Sequence, residues 1–198
     1  IKFQLHTRGP LKLYRNYFTK GYIKKNSNTS WDYYLSGRDR GQSEEKLITY
    51  KIFDSPKILK FIDDKGVDPI SIDPKKDSGA IDPFSVLLKT IQQVMNGDGC
   101  EDNFIVMDGR RRYEIDLLFI DKNDIRSNQT KKLESIFHCQ FRISNNKGND
   151  LNESKKRWPF NESEKIVDIW LSEKLDFFPI KFEFQGPFGK IQGNIIGD

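Results

Sequence analysis

Residues 103–119 read Asn-Phe-Ile-Val-Met-Asp-Gly-Arg-Arg-Arg-Tyr-Glu-Ile-Asp-Leu-Leu-Phe, and they carry the clearest structural signal in the chain. Two β-prone runs, 103–107 and 110–119, flank Asp108-Gly109. An Asp-Gly pair between two such runs is typical of the type I′ turn in a two-residue β-hairpin. Because a hairpin places its strands antiparallel, the stretch predicts an antiparallel sheet.

The same strand signal recurs on both sides of this hairpin. Alternating apolar and polar residues, or runs of aromatic and β-branched residues, predict further strands. These lie at residues 1–5, 31–35, 47–53, 58–62, 137–143, 167–171, 180–184 and 188–196. No helical pattern separates successive strands as a parallel sheet requires. We therefore expect a mainly β protein with a single antiparallel, strongly curved sheet or partly open barrel of about 9–10 strands.

One helix interrupts the strands, over residues 82–96. Asp82 is a suitable N-cap, Pro83 suits the first helical position, and Asn96-Gly97 provides the stop. The apolar residues between them recur at helical spacing, at Phe84, Leu87, Leu88, Ile91, Val94 and Met95. We expect this central helix to pack on a face of the sheet through that stripe.

The chain is expected to form a single domain over residues 1–198. No internal repeat and no long Pro/Gly/Ser linker divides it. Residues 1–62 supply amino-terminal strands, and residues 63–81 form a long surface loop rich in turn dipeptides. After the helix, residues 103–198 supply the carboxy-terminal strands.

Composition excludes several classes of protein. The 198 residues are 36% hydrophobic and 13% aromatic, which is too rich in apolar side chains for a disordered chain. No apolar run approaches the roughly 20 residues of a transmembrane helix, so no transmembrane segment is predicted. The net charge is +4, and the excess of basic over acidic residues falls in residues 1–50. Because that charge is local and mostly Lys, nucleic acid is not expected as the main partner.

Few residues are suited to catalysis or metal binding. The chain has two histidines, His6 and His138, and neither shows metal-ligand spacing with the two cysteines. His138 and Cys139 are neighbours on a predicted strand and so point to opposite faces, which argues against a Cys–His pair. No phosphate-binding glycine motif occurs. We predict no catalytic residue, no metal, no cofactor and a non-enzymatic protein.

Two clusters of residue types have both a functional and a structural interpretation. Residues 110–112 are three consecutive arginines that could clamp an anion, but strand neighbours alternate faces, and a solvated hairpin edge is preferred. Trp31, Trp158 and Trp170 could form a stacking surface for a ligand, although tryptophan is more often partly buried core. The structural interpretation is preferred for both.

The cysteines leave two alternatives open. Cys100 and Cys139 are consistent either with two buried, inert thiols or with one disulfide in an oxidising compartment. The alternation of Phe137, Cys139 and Phe141 with polar residues directs Cys139 to the core. Because no C-x-x-C motif is present, a thioredoxin-like redox role is not predicted.

The order of motifs in the second half resembles the bacterial domain-of-unknown-function family 3108, especially members with the same two cysteines. The likeness extends from about residue 70 to the end. Its elements are residues 82–88, Gly99-Cys100, residues 104–113, Cys139, and residues 169–171, 178–184 and 188–189. The resemblance implies a periplasmic or secreted protein whose signal peptide is not in this chain, and it favours a Cys100–Cys139 disulfide. The family has no established activity, so no catalytic residue is implied.

At the level of fold, the same plan resembles the half-barrel of the LolA/LolB lipoprotein carriers, where a curved sheet holds acyl chains under a helical lid. That resemblance implies an apolar or lipid-like ligand in a cavity of an envelope protein. We expect the cavity to be lined by Phe84, Leu88, Phe137, Phe141, Ile169 and Phe182. The alternative is an exported interaction module without a small-molecule ligand. Such a module would dock an envelope protein partner or an anionic lipid surface through residues 8–25, with Lys20, Lys24 and Lys25.

Overall fold

The structure is a computed structural model, and it describes residues 1–6, 17–39, 41–126, 133–144, 165–186 and 189–194. These ranges contain eleven strands, one α-helix and a short 3-10 helix. The strands are β1 (Lys2–His6), β2 (Tyr17–Ser27), β3 (Ser30–Asp39), β4 (Gln42–Lys51), β5 (Lys57–Asp63), β6 (Asp102–Met107), β7 (Arg112–Arg126), β8 (Leu133–Ser144), β9 (Lys165–Ser172), β10 (Phe178–Gly186) and β11 (Gly189–Asn194). The helices are α1 (Pro83–Asn96) and η1 (Glu173–Leu175).

The strands form two antiparallel sheets, where the sequence predicted a single curved sheet or a partly open barrel. The first has five strands in the order β1-β2-β3-β4-β5, and the second has six in the order β11-β10-β9-β8-β7-β6. The mainly β class, the antiparallel pairing and the helix are confirmed, whereas the single sheet of about 9–10 strands is corrected to two sheets with eleven strands. Periodicity identifies strands but not their partners, and the long segment from β5 to β6 ends the pairing of the first sheet.

The chain divides into two compact units, which are described separately. Unit 1 comprises Ile1–Phe84 and Ile105–Arg112, and unit 2 comprises Ser85–Phe104 and Tyr113–Asp198. The boundary passes through α1 and β6. The single domain expected from the sequence stays a prediction.

The core of unit 1 lies on one face of the first sheet. Alternate residues of β3 and β4 point inward, and Tyr33 on β3 pairs with Ile48 on β4. The ring of Trp31 stacks on that of Tyr50 with 5.7 Å between centroids. The buried residues of this core are Tyr33, Leu35, Ile48, Tyr50, Ala80 and Met107. The loop expected over 63–81 contributes to it through Ala80.

Strand β2 was not predicted, and its sequence explains why. Its inward positions include Thr19 and Gly21, both buried, so no run of large apolar residues alternates with its lysines. The partner strand approaches closely, since a side chain at Gly37 would place its Cβ 2.9 Å from the carbonyl oxygen of Phe18. Small residues at these positions allow β2 and its partner strand to pack closely. Because small residues leave no hydrophobic alternation in the sequence, the strand is not recognised from its pattern.

The hairpin between β6 and β7 is confirmed, but its turn is not type I′. A type I′ turn needs a left-handed conformation at both central residues. Gly109 has φ 84°, whereas Asp108 does not have a positive φ. Instead, Oδ1 of Asp108 accepts hydrogen bonds from the backbone N–H groups of Arg110 and Arg111, both at 2.8 Å. This side-chain contact stabilises a longer turn over residues 108–111.

Helix α1 begins where the capping signal predicts. Oδ1 of Asp82 accepts a hydrogen bond from the Phe84 N–H at 3.0 Å, as an N-cap does. The most buried face is rotated from the predicted stripe, because Met95 is 54% exposed while Thr90 is fully buried. The hydroxyl of Thr90 donates to the Val86 carbonyl oxygen at 2.9 Å, which satisfies it inside the packed face. The buried helix residues are Ser85, Val86, Thr90 and Val94.

A disulfide links two segments of unit 2. The sulfur atoms of Cys100 and Cys139 lie 2.13 Å apart, and both residues are completely buried. Cys100 follows α1, and Cys139 sits in the middle of β8 opposite Phe119 on β7. The bridge therefore ties the segment after the helix to the centre of the second sheet, with the pairing that the family resemblance implied.

Candidate functional site

One row of four side chains crosses the second sheet. In register, Asp121 on β7 pairs with His138 on β8, His138 with Trp170 on β9, and Trp170 with Lys181 on β10. Since neighbours along a strand face opposite ways, this row lies on the face opposite Cys139. It places an acid, an imidazole, an indole and an amine side by side.

Trp170 is held between its two neighbours in this row. Its ring stacks on that of His138 with 4.4 Å between centroids and 11° between planes. From the other side, Nζ of Lys181 lies 3.9 Å from the centre of the indole. Contact between a cation and an aromatic face is favourable and fixes the ring orientation. Trp170 is half-buried, so part of the held ring remains accessible.

Carboxylates orient His138 on the same face. Its Nε2 lies 2.9 Å from Oδ1 of Asp168, and its Nδ1 lies 3.8 Å from Oδ2 of Asp121. The same Asp168 oxygen accepts a hydrogen bond from Nε2 of Gln140 at 3.1 Å. These contacts position the imidazole under the indole.

The lysine of the row has its own acidic partner. Nζ of Lys181 lies 3.2 Å from Oε2 of Glu183, and Nζ of Lys190 contacts the other carboxylate oxygen. The hydrogen bond from Lys190 lowers the pKa of Glu183 below its ordinary value and outweighs the opposing effect of burial, with Lys181 adding to the lowering. Glu183 is therefore an ionised acceptor that holds Lys181 beside Trp170.

A cleft of about 440 Å³ opens next to Trp170. We call it the Trp170 cleft, and it is lined by Asn123, Asp124, Ile136, Trp170, Ile180 and Lys181. Most of its exposed wall is apolar, and the lining also includes Lys181 and the polar residues Asn123 and Asp124 of β7. The arrangement suits an apolar group that enters against the indole.

In the described part of unit 2, two serine hydroxyls bond carboxylates, that of Ser172 on the face of Trp170 and that of Ser135 on the opposite face of β8. Oγ of Ser135 donates to Oδ1 of Asp124 at 2.8 Å, and Oγ of Ser172 donates to Oε1 of Glu134. Across the described ranges, no three His, Cys, Asp or Glu side chains are grouped so that they could hold a metal ion. The non-enzymatic assignment stays a prediction.

The structure brings four of the six predicted ligand residues to one face of the second sheet. Phe137 and Phe141 alternate with His138 on β8, and Ile169 pairs with Phe182 on β10. Phe141 and Ile169 are buried, and the other two are half-buried. This is the face opposite the Trp170 cleft, so none of them lines it. Their role in binding a ligand stays a prediction.

The two helical members of that set are separated by the division of the chain. Phe84 belongs to unit 1 and packs against its core beside the first sheet. Leu88 belongs to unit 2, where it is half-buried on α1.

The interpretation of the three arginines as a solvated edge is wrong. The guanidinium of Arg110 contacts Glu44 at 2.8 Å and also Asp63, and Arg112 binds the completely buried carboxylate of Asp77. Carboxylates from β4, β5 and the loop before α1 reach this turn, which the local sequence does not show. These contacts also occupy the guanidinium groups that an anion clamp would use.

The tryptophans divide between the two interpretations. Trp31 packs against the unit 1 core, as preferred, whereas Trp170 lies on the face of the second sheet opposite Cys139 and borders a cleft. Trp158 and residues 8–16 lie outside the described residues, while Lys20, Lys24 and Lys25 are exposed on β2. The signal for Trp170 was present: in the alternation of β9 it shares a face with Asp168, opposite Ile169 and Leu171.

Comparison with solved structures identifies the architecture. A β-barrel-like protein of the domain of unknown function DUF1849 from Brucella abortus matches with a TM-score of 0.55, covering 92% of this chain and 72% of that chain. The chain has a β-barrel-like fold. At 8% sequence identity the likeness shows the fold alone. No family model and no curated protein matches the chain, so the resemblances to family 3108 and to the LolA/LolB carriers are not confirmed.

Proposed function

We propose that this β-barrel-like protein is an exported, non-enzymatic binding protein that takes an apolar or lipid-like ligand into the Trp170 cleft. The composition of that cleft carries the proposal, since Ile136, Trp170 and Ile180 present apolar surface to one opening. Its volume of about 440 Å³ falls among small-ligand sites. Burial of an aliphatic chain there is favoured by the hydrophobic effect.

The contacts within the row also support the proposal, because they hold the wall of the cleft in place before a ligand binds. His138 and Lys181 hold the indole from both sides, and Asp168 and Glu183 hold those two in turn. A preorganised wall binds a ligand without the entropic cost of ordering its own side chains. Lys181 also lines the cleft, and its amine suits a ligand with an apolar body and an anionic end.

The Cys100–Cys139 pair supports export. Disulfides persist in the periplasm and outside the cell and are rare in reducing compartments. Among the described residues, no helix has the length and apolar character needed to cross a bilayer. A periplasmic or secreted location is the one we propose, in line with what the resemblance to family 3108 implies.

The test is binding of monomeric palmitate, measured by native mass spectrometry and by titration calorimetry. Ile180→Ser removes apolar wall from the cleft, and Ile166→Ser makes the same change at an exposed position that does not line it. We expect one palmitate per chain, binding about tenfold weaker in Ile180→Ser, and no change in Ile166→Ser.

Two results would overturn the proposal. If the wild-type protein takes up no palmitate, the apolar ligand is rejected, and an interaction module without a small-molecule ligand becomes the better reading. If Phe182→Ser abolishes uptake while Ile180→Ser retains it, the ligand sits on the opposite face of the sheet and the Trp170 cleft is not the site.

A further inference from the structure

The turn between β4 and β5, in unit 1, exposes an aromatic side chain to solvent. Phe53 is 90% exposed, and its neighbour Ile52 is 44% exposed. Phe53 also has φ 63°, a left-handed conformation that disfavours residues with a side chain. The turn thus carries a large apolar group at a position where glycine would be less strained and where folding buries little of the ring.

The turn is fixed in place by its neighbours. The Ile52 N–H donates to the Thr29 carbonyl oxygen at 2.8 Å, and the Ser78 hydroxyl donates to the Phe53 carbonyl oxygen at 3.1 Å. The Gly79 N–H donates to the carbonyl oxygen of Asp54 at 3.0 Å. One backbone N–H and two backbone carbonyls of the turn are therefore hydrogen-bonded to neighbouring segments, and the aromatic side chain projects from an anchored turn.

Basic side chains surround this turn. Lys51 and Lys57 flank it directly, and Lys24 lies in the same row of the sheet as Lys57. The loop that anchors the turn carries two more lysines, Lys75 and Lys76, shortly before Ser78. We call this surface the basic tip; its members are Ile52, Phe53, Lys24, Lys51, Lys57, Lys75 and Lys76.

The acidic groups that face the basic tip do not cancel its charge. Asp54 lies 3.6 Å from Lys51, Asp73 lies 3.9 Å from Lys76, and Asp32 accepts a hydrogen bond from the Thr49 hydroxyl. Five exposed lysines thus face three carboxylates. The tip is net positive around an apolar centre.

We propose that the basic tip docks on an anionic lipid membrane surface, with Phe53 inserted at the interface. An aromatic side chain is favoured at the boundary between headgroups and acyl chains, and lysines around it are attracted to anionic headgroups. The aromatic side chain acts at the boundary with the acyl chains, and the lysines act at the level of the headgroups. An apolar centre surrounded by lysines matches this arrangement. The proposal is independent of the Trp170 cleft, which belongs to unit 2.

The experiment measures binding of the full chain to vesicles of phosphatidylcholine alone and of phosphatidylcholine with phosphatidylglycerol. We expect binding to the anionic vesicles only, and a sharp loss when salt rises from about 0.1 M to about 1 M, because added salt shortens the range of charge attraction. Phe53→Gly removes the ring and relieves the left-handed strain, so its folding is not compromised. We expect it to bind anionic vesicles about tenfold more weakly.

Matched variants separate the tip from general surface properties. Phe178→Ser removes a half-exposed phenylalanine outside the basic tip, and Lys174→Glu reverses an exposed charge on η1. Both variants should bind vesicles like the wild type. Lys57→Glu reverses a charge of the basic tip and should weaken binding to the anionic vesicles. Equal vesicle binding by the wild type and Phe53→Gly overturns the proposal. So does a Phe53-dependent dimer in sedimentation velocity without vesicle binding, which assigns the tip to a second copy of this chain.

Discussion

Nε1 of Trp31 donates a hydrogen bond to Oδ2 of Asp82 at 2.8 Å, while the other oxygen of the same carboxylate caps the first turn of α1. Trp31 lies on β3 and Asp82 immediately before the helix, 51 residues later. A single completely buried carboxylate thus joins the first sheet of unit 1 to the start of the helix. Since a buried carboxylate needs partners for both oxygens, the two contacts support each other.

Replacing Asp82 with Ala should destabilise the protein by about 3 kcal/mol. About 1 kcal/mol is the usual cost of losing an N-cap, and about 2 kcal/mol comes from the loss of a buried hydrogen bond to a charged group. Trp31→Phe keeps the cap and removes only the second contact, so it should cost less. The measurement is the urea midpoint followed by circular dichroism.

The control for this prediction is Asp98→Ala, an exposed aspartate just beyond the same helix, which should change stability by no more than about 0.5 kcal/mol. A double-mutant cycle isolates the contact between Trp31 and Asp82. The cost of Asp82→Ala should be smaller in the Trp31→Phe background than in the wild type. Strictly additive costs would contradict the coupling.

The two contacts of Asp82 differ in whether the sequence alone predicts them. The cap depends on residues within three positions of each other, so local chemistry predicted it. The same holds for the β6–β7 hairpin and for most strands. The Trp31 contact and the division into two sheets depend on which strands become neighbours. That information is long-range, and periodicity does not contain it.

The candidate site illustrates the same limit. The alternation on β8 correctly placed His138 and Cys139 on opposite faces. It could not show that His138, Trp170 and Lys181 align in one row, because this depends on the registers of two strand pairs and on the bulge between Pro179 and Lys181. The partners of Arg110 and Arg112 were missed for the same reason. Strand β2 was missed because two of its inward positions carry the small residues Thr19 and Gly21, which interrupt the apolar alternation.

The Cys100–Cys139 disulfide should contribute about 4 kcal/mol to stability, since it closes a loop of 39 residues in the unfolded chain. We expect the free energy of unfolding of a Cys100→Ala, Cys139→Ala double variant to be lower than that of the wild type by about 4 kcal/mol. A reductant should shift the urea midpoint of the wild type and leave that of the double variant unchanged. Because both sulfur atoms are in the bridge, thiol titration of the protein unfolded in urea without reductant should detect no free thiol. Two titratable thiols in protein purified from its own compartment would contradict the disulfide and weaken the case for export.

Acid should destabilise the protein partly through Glu183, which is 7% exposed and bonded to Lys181 and Lys190. Its pKa is lower in the folded state than the ordinary 4.5, chiefly because of the hydrogen bond from Lys190. For such a group, the stabilisation is complete above the ordinary pKa and is lost as the pH falls through the lower, folded-state pKa. Glu183→Gln should therefore reduce the loss of stability below about pH 4.5, and Lys190→Met should reduce it in the same direction.

The measurement for Glu183 is the urea midpoint at a series of pH values from neutral to acid. Glu173→Gln, which removes an exposed carboxylate on η1, is the matched control and should follow the wild-type profile more closely. An acid profile of Glu183→Gln that coincides with the wild type would show that Glu183 pairs with neither Lys190 nor Lys181 in solution. In that case Glu183 does not hold Lys181 against Trp170, and the cleft should bind palmitate equally well in Glu183→Gln. If the pair does form, the same variant should lose both the acid sensitivity and part of its affinity, because the indole is then held from one side only.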